Sequence, residues 1–238
     1  MQKYDLEEIE KASVEFARAS GKLLLHRINT PLQIRYKSSE NRDPVSEADH
    51  ESDKLLKREI QKKFPEHRIL SEESVTPDQE TSRLTWVLDP LDGTTNFINK
   101  LPVFAVSVAV LDGNRPIAGS IFIPSVQSEE GMVFHASVGS GAKCDGTPID
   151  LKGTFPSNRL VALPANFWSR MKPPLPGNPR SSFPQGEIRN TGSIAYELAM
   201  VANGVFQYAV FNGPKIWDVA AGLLIVKESG QSVRWRPN

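Results

Sequence analysis

The sequence predicts a mixed α/β fold, and three patterns carry the prediction: helical apolar spacing near the N-terminus, β-prone runs through the middle, and alternating strands and helices toward the C-terminus. Leu6, Ile9, Ser13, Phe16, Ala17, Ser20, Leu23 and Leu24 recur at helical spacing and give a first helix that ends before Pro31. Leu55, Leu56, Ile60 and Phe64 mark a second helix over about residues 49–64, and Ser46 with Asp49 fits a variant capping box at its start. Leu84, Trp86, Val87 and Leu88 form a short apolar run that reads as a buried strand, with Pro90 expected to stop its ladder. Residues 104–111 and 117–123 flank DGNRP at 112–116 and read as a β-hairpin, and more strands are expected through residues 131–142. Near residues 151–155 the pattern shifts to a smaller α/β unit: a strand at 160–163, a helix at 193–202, a strand at 206–211 and a helix at 219–228. The predicted organisation is therefore residues 1–152 as an N-terminal α+β domain and 153–238 as a smaller α/β domain.

Composition narrows the class. With 238 residues, 39% hydrophobic and 24% charged, the chain has enough apolar material for one large or two small cores and does not read as disordered. Lys plus Arg equals Asp plus Glu at 28 each, so no global basic field points to nucleic acid, although a local patch stays open. The lone Cys144 excludes an internal disulfide and reads as a semi-buried turn residue, while His26, His50, His67 and His135 lack zinc spacing and read as structural or surface groups. The N-terminus is acidic and amphipathic, with no basic region before an apolar signal core, and no apolar run approaches membrane-spanning length. A cytoplasmic protein is expected.

The densest chemistry lies in DPLDGTTNF at residues 89–97, where Asp89, Asp92, Gly93, Thr94 and Thr95 follow the predicted strand. Two carboxylates so close repel each other unless cations intervene, and oxygen-only ligands suit a hard ion such as Mg²⁺ rather than zinc. Gly93 permits a turn that side chains would obstruct, and the amides after it open a helical turn whose N-terminus favours an anion. A cation on one side and an anion cradle on the other is a phosphoryl-transfer layout; the alternative is an ordinary Asp/Gly turn. An aspartyl-phosphate nucleophile of the haloacid dehalogenase type is disfavoured, because its two aspartates stand one residue apart and Pro90 occupies the position where that spacing needs an acid.

Two further motifs, SEES at residues 71–74 and WDVAAG at 217–222, join this one in an order that resembles the inositol monophosphatase-like, magnesium-dependent, lithium-sensitive phosphomonoesterases. The resemblance implies a layered αβαβα sandwich of the inositol monophosphatase and fructose-1,6-bisphosphatase type with a shortened C-terminal part, and a homodimer. It implies two or three Mg²⁺ ions per site held by Glu72, Asp89, the Leu91 carbonyl, Asp92 and Asp218, with Asp89 bridging. It makes Thr94, Asp49 and Glu72 the catalytic residues that hold and orient the attacking water, and places Glu73 behind them. Asp92, Gly93, Thr94, Ser193, Ile194 and Asp218 become the substrate contacts, and Lys37 falls near the metal region.

Read singly, several of these residues have plainer explanations. Asp49 and Asp218 suit helix-start positions, Glu72 and Glu73 a solvated loop, Lys37 a loop lysine, and only their combination lifts them. The proline-rich residues 164–186, with KPPLPGNP at 172–179, read as an exposed loop, a polyproline ligand being the alternative. The implied activity is hydrolysis of an inositol monophosphate or related sugar or polyol phosphate. Phe211 stands where inositol-specific members carry a hydroxyl-binding glutamate, which keeps nucleoside 3′,5′-bisphosphate, histidinol phosphate and fructose 1,6-bisphosphate open as substrates. A regulatory RNA- or transcription-associated role with residual phosphatase activity is the alternative from another class. Because the sequence stops at Asn238, where such proteins continue through another strand and helix, an apolar sheet edge is expected to be covered by a partner subunit.

Overall fold

The computed structural model describes residues 4–36, 44–75, 82–151, 159–164, 167 and 186–234. Helix α1 (Leu6–Arg27) is capped by Asp5, whose carboxylate accepts from the amides of Glu7 and Glu8, and it buries Ile9, Phe16, Ala17 and Leu24 on one face. Strands β1 (Ile34–Tyr36) and β2 (Pro44–Ser46) pair antiparallel and lead into α2 (Glu47–Lys63). That helix starts two residues before the expected position because the capping box is real: the Asp49 carboxylate accepts from both the amide and the hydroxyl of Ser46.

The main sheet has eight strands in the order β10-β9-β8-β7-β6-β5-β3-β4: β3 (Arg68–Ser71), β4 (Ser74–Val75), β5 (Leu84–Asp92), β6 (Ala105–Asp112), β7 (Arg115–Ile123), β8 (Met132–Ser137), β9 (Lys143–Cys144) and β10 (Thr147–Pro148). Every neighbouring pair is antiparallel except β3 and β5, which run parallel with Ser71 opposite Leu88. Pro90 does not end its strand. The register passes from Asp89↔Ser107 to Asp92↔Ala105, so β5 carries one extra residue there and the proline sits in a bulge, where its missing N–H breaks no ladder bond. The hairpin is tighter than expected: Asp112 pairs with Arg115, leaving Gly113 and Asn114 as the tip.

Alternation along the central strands feeds two cores. Trp86, Leu88, Val106, Val108 and Phe122 face α1 and α2, while Val87, Ala105, Ala109, Ile121 and Phe134 face the opposite side, where α4 (Ile194–Ala202) and α5 (Ile216–Glu228) pack. Covered on both faces, these strands read as continuous apolar runs. Helix α5 begins earlier than the expected residues 219–228, with Lys215 as its N-cap and Asp218 in its first turn. Beyond α4 lies a three-stranded parallel sheet, β12 (Glu187–Arg189), β11 (Leu160–Ala162) and β13 (Phe206–Ala209), whose last strand is shorter than the expected 206–211. The fold is thus a layered α/β sandwich, and α3 (Thr94–Ile98) is the short helix after β5.

Candidate active site

Parallel pairing of β3 with β5 does the first piece of assembly. With Ser71 opposite Leu88, the next residue, Glu72, donates its amide to the Leu88 carbonyl at 3.1 Å and emerges beside Asp89. The same edge receives Asp218 from the start of α5 and Ile194 from the start of α4. Together Pro44, Glu72, Asp89, Leu91, Asp92, Gly93, Thr94, Thr95, Gly192, Ile194 and Asp218 line one cavity of about 340 Å³.

Each acid is held differently. Asp89 is 1% exposed, and its Oδ1 accepts from the Leu91 amide at 3.1 Å. Asp92 Oδ2 accepts from the Ser193 hydroxyl at 2.8 Å and the Ala195 amide at 2.5 Å, so this carboxylate satisfies the start of α4. Asp218 accepts from the Lys215 amide at 2.7 Å. Gly93 caps α3 at φ 92°, in the left-handed region, and a Cβ there would lie 3.1 Å from the Val103 carbonyl oxygen. Thr94 donates its hydroxyl to Asp49 Oδ1 at 2.9 Å, with the Leu91 carbonyl oxygen 3.1 Å away.

Not every expected site residue lines the cavity. Asp49 is 2% exposed and lies outside the cavity lining, but it accepts from the hydroxyl of Thr94, which does line it. Ser193 is 1% exposed; its hydroxyl serves Asp92 and accepts from the Tyr196 amide, while Ile194 forms the cavity wall. Glu73 lies outside the cavity lining, its side chain 4% exposed and its Oε2 3.9 Å from His50 Nδ1. Phe211 packs against the second core. Lys37 and most of residues 164–186 fall outside the described residues. The Ala195 amide and the Asn96 side chain were not named by the sequence reading. The Ala195 amide could have been sought from the Ser-capped helix start, but nothing in the sequence says which acid docks there. Asn96, inside the DPLDGTTNF motif, donates from Nδ2 to the carbonyls of Val103 at 2.6 Å and Thr191 at 2.7 Å, tying α3 to the loop before α4.

The electrostatics are those of uncompensated negative charge. Burial, then repulsion from Asp92, Glu72 and Asp218, holds the Asp89 carboxyl well above the usual carboxylate range. Burial pushes Asp92 up to about 7 despite its bonds from Ser193 and Ala195, and burial raises Asp218 and Asp49 as well. Among the described residues no group of three or more His, Cys, Asp or Glu side chains stands ready to hold an ion by itself; the four acids instead ring an open cavity. All-oxygen donors that repel one another fit a hard dication, which neutralises the repulsion that burial magnifies.

Fold and cavity together define a layered α/β protein whose acid-walled cleft is suited to a hard cation beside a hydroxyl–carboxylate pair. The chain belongs to the inositol monophosphatase family, whose profile matches residues 5–235. It is 31% identical over 227 residues to a fructose-1,6-bisphosphatase/inositol-1-monophosphatase of Aquifex aeolicus, covering 90% of this chain and 80% of that protein. It is 33% identical over 231 residues to the Nus factor SuhB of Escherichia coli K12, covering 92% and 81%. Among solved structures, the IMPase of Thermotoga maritima superposes with a TM-score of 0.77 at 28% identity, covering 94% of this chain and 84% of that one. An IMPase/NADP phosphatase complexed with Mg²⁺ and phosphate shares the fold at 20% identity, with a TM-score of 0.75 and coverage of 94% and 82%. No described helix is long and apolar enough to cross a membrane.

Proposed function

We propose that this protein is a magnesium-dependent phosphoric monoester hydrolase that cleaves a small-molecule phosphate ester, with inositol monophosphate or a related sugar or polyol phosphate as the leading substrate class. The observation that carries the reading is the convergence of Glu72, Asp89, Asp92 and Asp218, drawn from distant parts of the chain, on one cavity beside Thr94. Glu72, Asp89, the Leu91 carbonyl, Asp92 and Asp218 would hold the cations. When bound, Mg²⁺ supplies the positive charge that neutralises the phosphate oxygens and the departing alkoxide.

The remaining work falls to the chain's own groups. With its hydrogen given to Asp49, the Thr94 hydroxyl keeps its lone pairs as acceptors and would take a proton of the attacking water. Burial raises the Asp49 carboxyl, making it the better terminal acceptor for that proton. The amides of Gly93 and Thr94 would hold phosphate oxygens, and Ile194 would press an apolar wall against the alcohol. Water attacks phosphorus in line with the leaving oxygen, and no phosphoenzyme forms. In this reading residues 1–152 supply most ligands, and residues 153–238 supply Asp218 and substrate contacts.

Phosphate release from a panel containing inositol 1-phosphate, fructose 1,6-bisphosphate, histidinol phosphate and a nucleoside 3′,5′-bisphosphate, with Mg²⁺ titrated from zero, tests chemistry and selectivity together. Magnesium-dependent release from one class supports the proposal; no release from any ester at any Mg²⁺ concentration defeats it. The likeness to a Nus factor favours a second reading, a partner of RNA-processing or transcription machinery with residual phosphatase activity. Co-purification of nucleic acid or RNA polymerase would support that role.

A further inference from the structure

The bulge in β5 poses a mechanical problem. Between Asp89↔Ser107 and Asp92↔Ala105 neither Pro90 nor Leu91 has a register partner on β6, so the sheet ladder does not hold the peptide that joins them. That peptide sits at the heart of the acid cluster: its N–H, from Leu91, donates to Asp89 Oδ1 at 3.1 Å. Its carbonyl oxygen, from Pro90, accepts from the Ser52 hydroxyl of α2 at 2.7 Å, and Ser52 lies 2.5 Å from the hydroxyl of Ser20 on α1. Both serines are 0% exposed. A hydroxyl has one hydrogen; Ser52 gives its own to Pro90, so Ser20 must be the donor to Ser52, and the chain runs in a single direction.

We propose that Ser20 and Ser52 are positioning residues for the acid cluster: their hydroxyl relay fixes the Pro90–Leu91 peptide plane, and so aims the Asp89 carboxylate. A trans peptide is rigid, with C=O and N–H pointing to opposite edges, so anchoring the Pro90 oxygen sets the direction of the Leu91 N–H that Asp89 accepts. Hydrogen bonds in series polarise one another, which makes Ser20 a strengthening partner rather than a bystander. The inference rests on the magnesium reading above.

The test compares Ser52→Ala and Ser20→Ala with Ser13→Ala. Ser13 is an equally buried α1 serine whose hydroxyl lies 2.6 Å from that of Ser120, away from the cavity, so it controls for the loss of a buried hydroxyl pair. Mg²⁺ binding is measured by calorimetry without substrate, alongside ester turnover. Ser52→Ala is expected to weaken Mg²⁺ binding roughly tenfold, as loss of a group orienting a metal ligand does, with Ser20→Ala weakening it less and Ser13→Ala leaving it unchanged. Unaltered Mg²⁺ affinity in Ser52→Ala, or equal weakening in Ser13→Ala, overturns the relay. Should Ser52→Ala fail to fold, Ser20→Ala decides, because wild-type Mg²⁺ affinity there removes the relay's first link. A wild-type protein that binds Mg²⁺ but cleaves no ester sinks the phosphatase reading alone, since the binding constants still judge the relay.

Discussion

At the scale of single residues, Asp92 joins two jobs that usually fall to different groups: it faces the cavity and it caps α4 through Ser193 and Ala195. Asp92→Asn keeps an oxygen for those donors while removing the charge, so it should abolish most phosphate release and leave the circular dichroism spectrum and melting cooperativity unchanged. Thr94 offers a cleaner separation of position from chemistry. Thr94→Ser keeps the hydroxyl bonded to Asp49 and should keep most turnover, whereas Thr94→Val should lower kcat by about 10²–10⁴ with little change in KM, read from steady-state kinetics. The acids and the threonine were legible in the sequence because their types and order are unusual. The Ala195 amide was not, because a backbone group carries no residue signature.

At the scale of elements, α1 and α2 were readable from spacing alone, as were the central strands, since their apolar periodicity is dictated by the faces they bury. The parallel pairing of β3 with β5 was not, for it depends on which strand neighbours which, and that pairing is what sets Glu72 beside Asp89. The bulge at Pro90 was misread as a strand end for the same reason: a proline forbids a ladder donor, but only the partner strand shows whether one was needed. Two expectations follow for α1. A Cβ at Gly21 would lie 2.3 Å from the Phe122 ring, so Gly21→Ala should destabilise by about 1–3 kcal/mol in urea unfolding through overpacking. Nearer the start of α1, burial opposes ionisation of Glu10, but bonds from His135, Ser137 and Lys143 outweigh it and lower its carboxyl from 4.5 to about 2. A depressed folded pKa gives stability that is complete above 4.5 and lost as pH falls toward about 2. The stability gap between the wild type and Glu10→Gln should therefore be widest near neutrality and close through that window.

At the scale of the molecule, burial and mutual repulsion hold Asp89 and Asp92 above their usual range, so charge in the acid cluster should work against folding until a cation neutralises it. Mg²⁺ should raise the melting temperature in a concentration-dependent way, by about 2.7 kcal/mol of added stability at a hundredfold excess over its dissociation constant, and a chelator should reverse the gain. Asp89→Asn should raise the melting temperature of the metal-free protein and flatten the response to Mg²⁺. A different consequence attaches to Ile194. It reaches the cleft from α4, whereas Asp89 and Asp92 reach it from β5 of the main sheet and Glu72 from just past the end of β3. On the proposed reading, divergence within such a lineage could remodel what the alcohol portion touches by altering one helix start, while the acid-bearing strands are inherited intact.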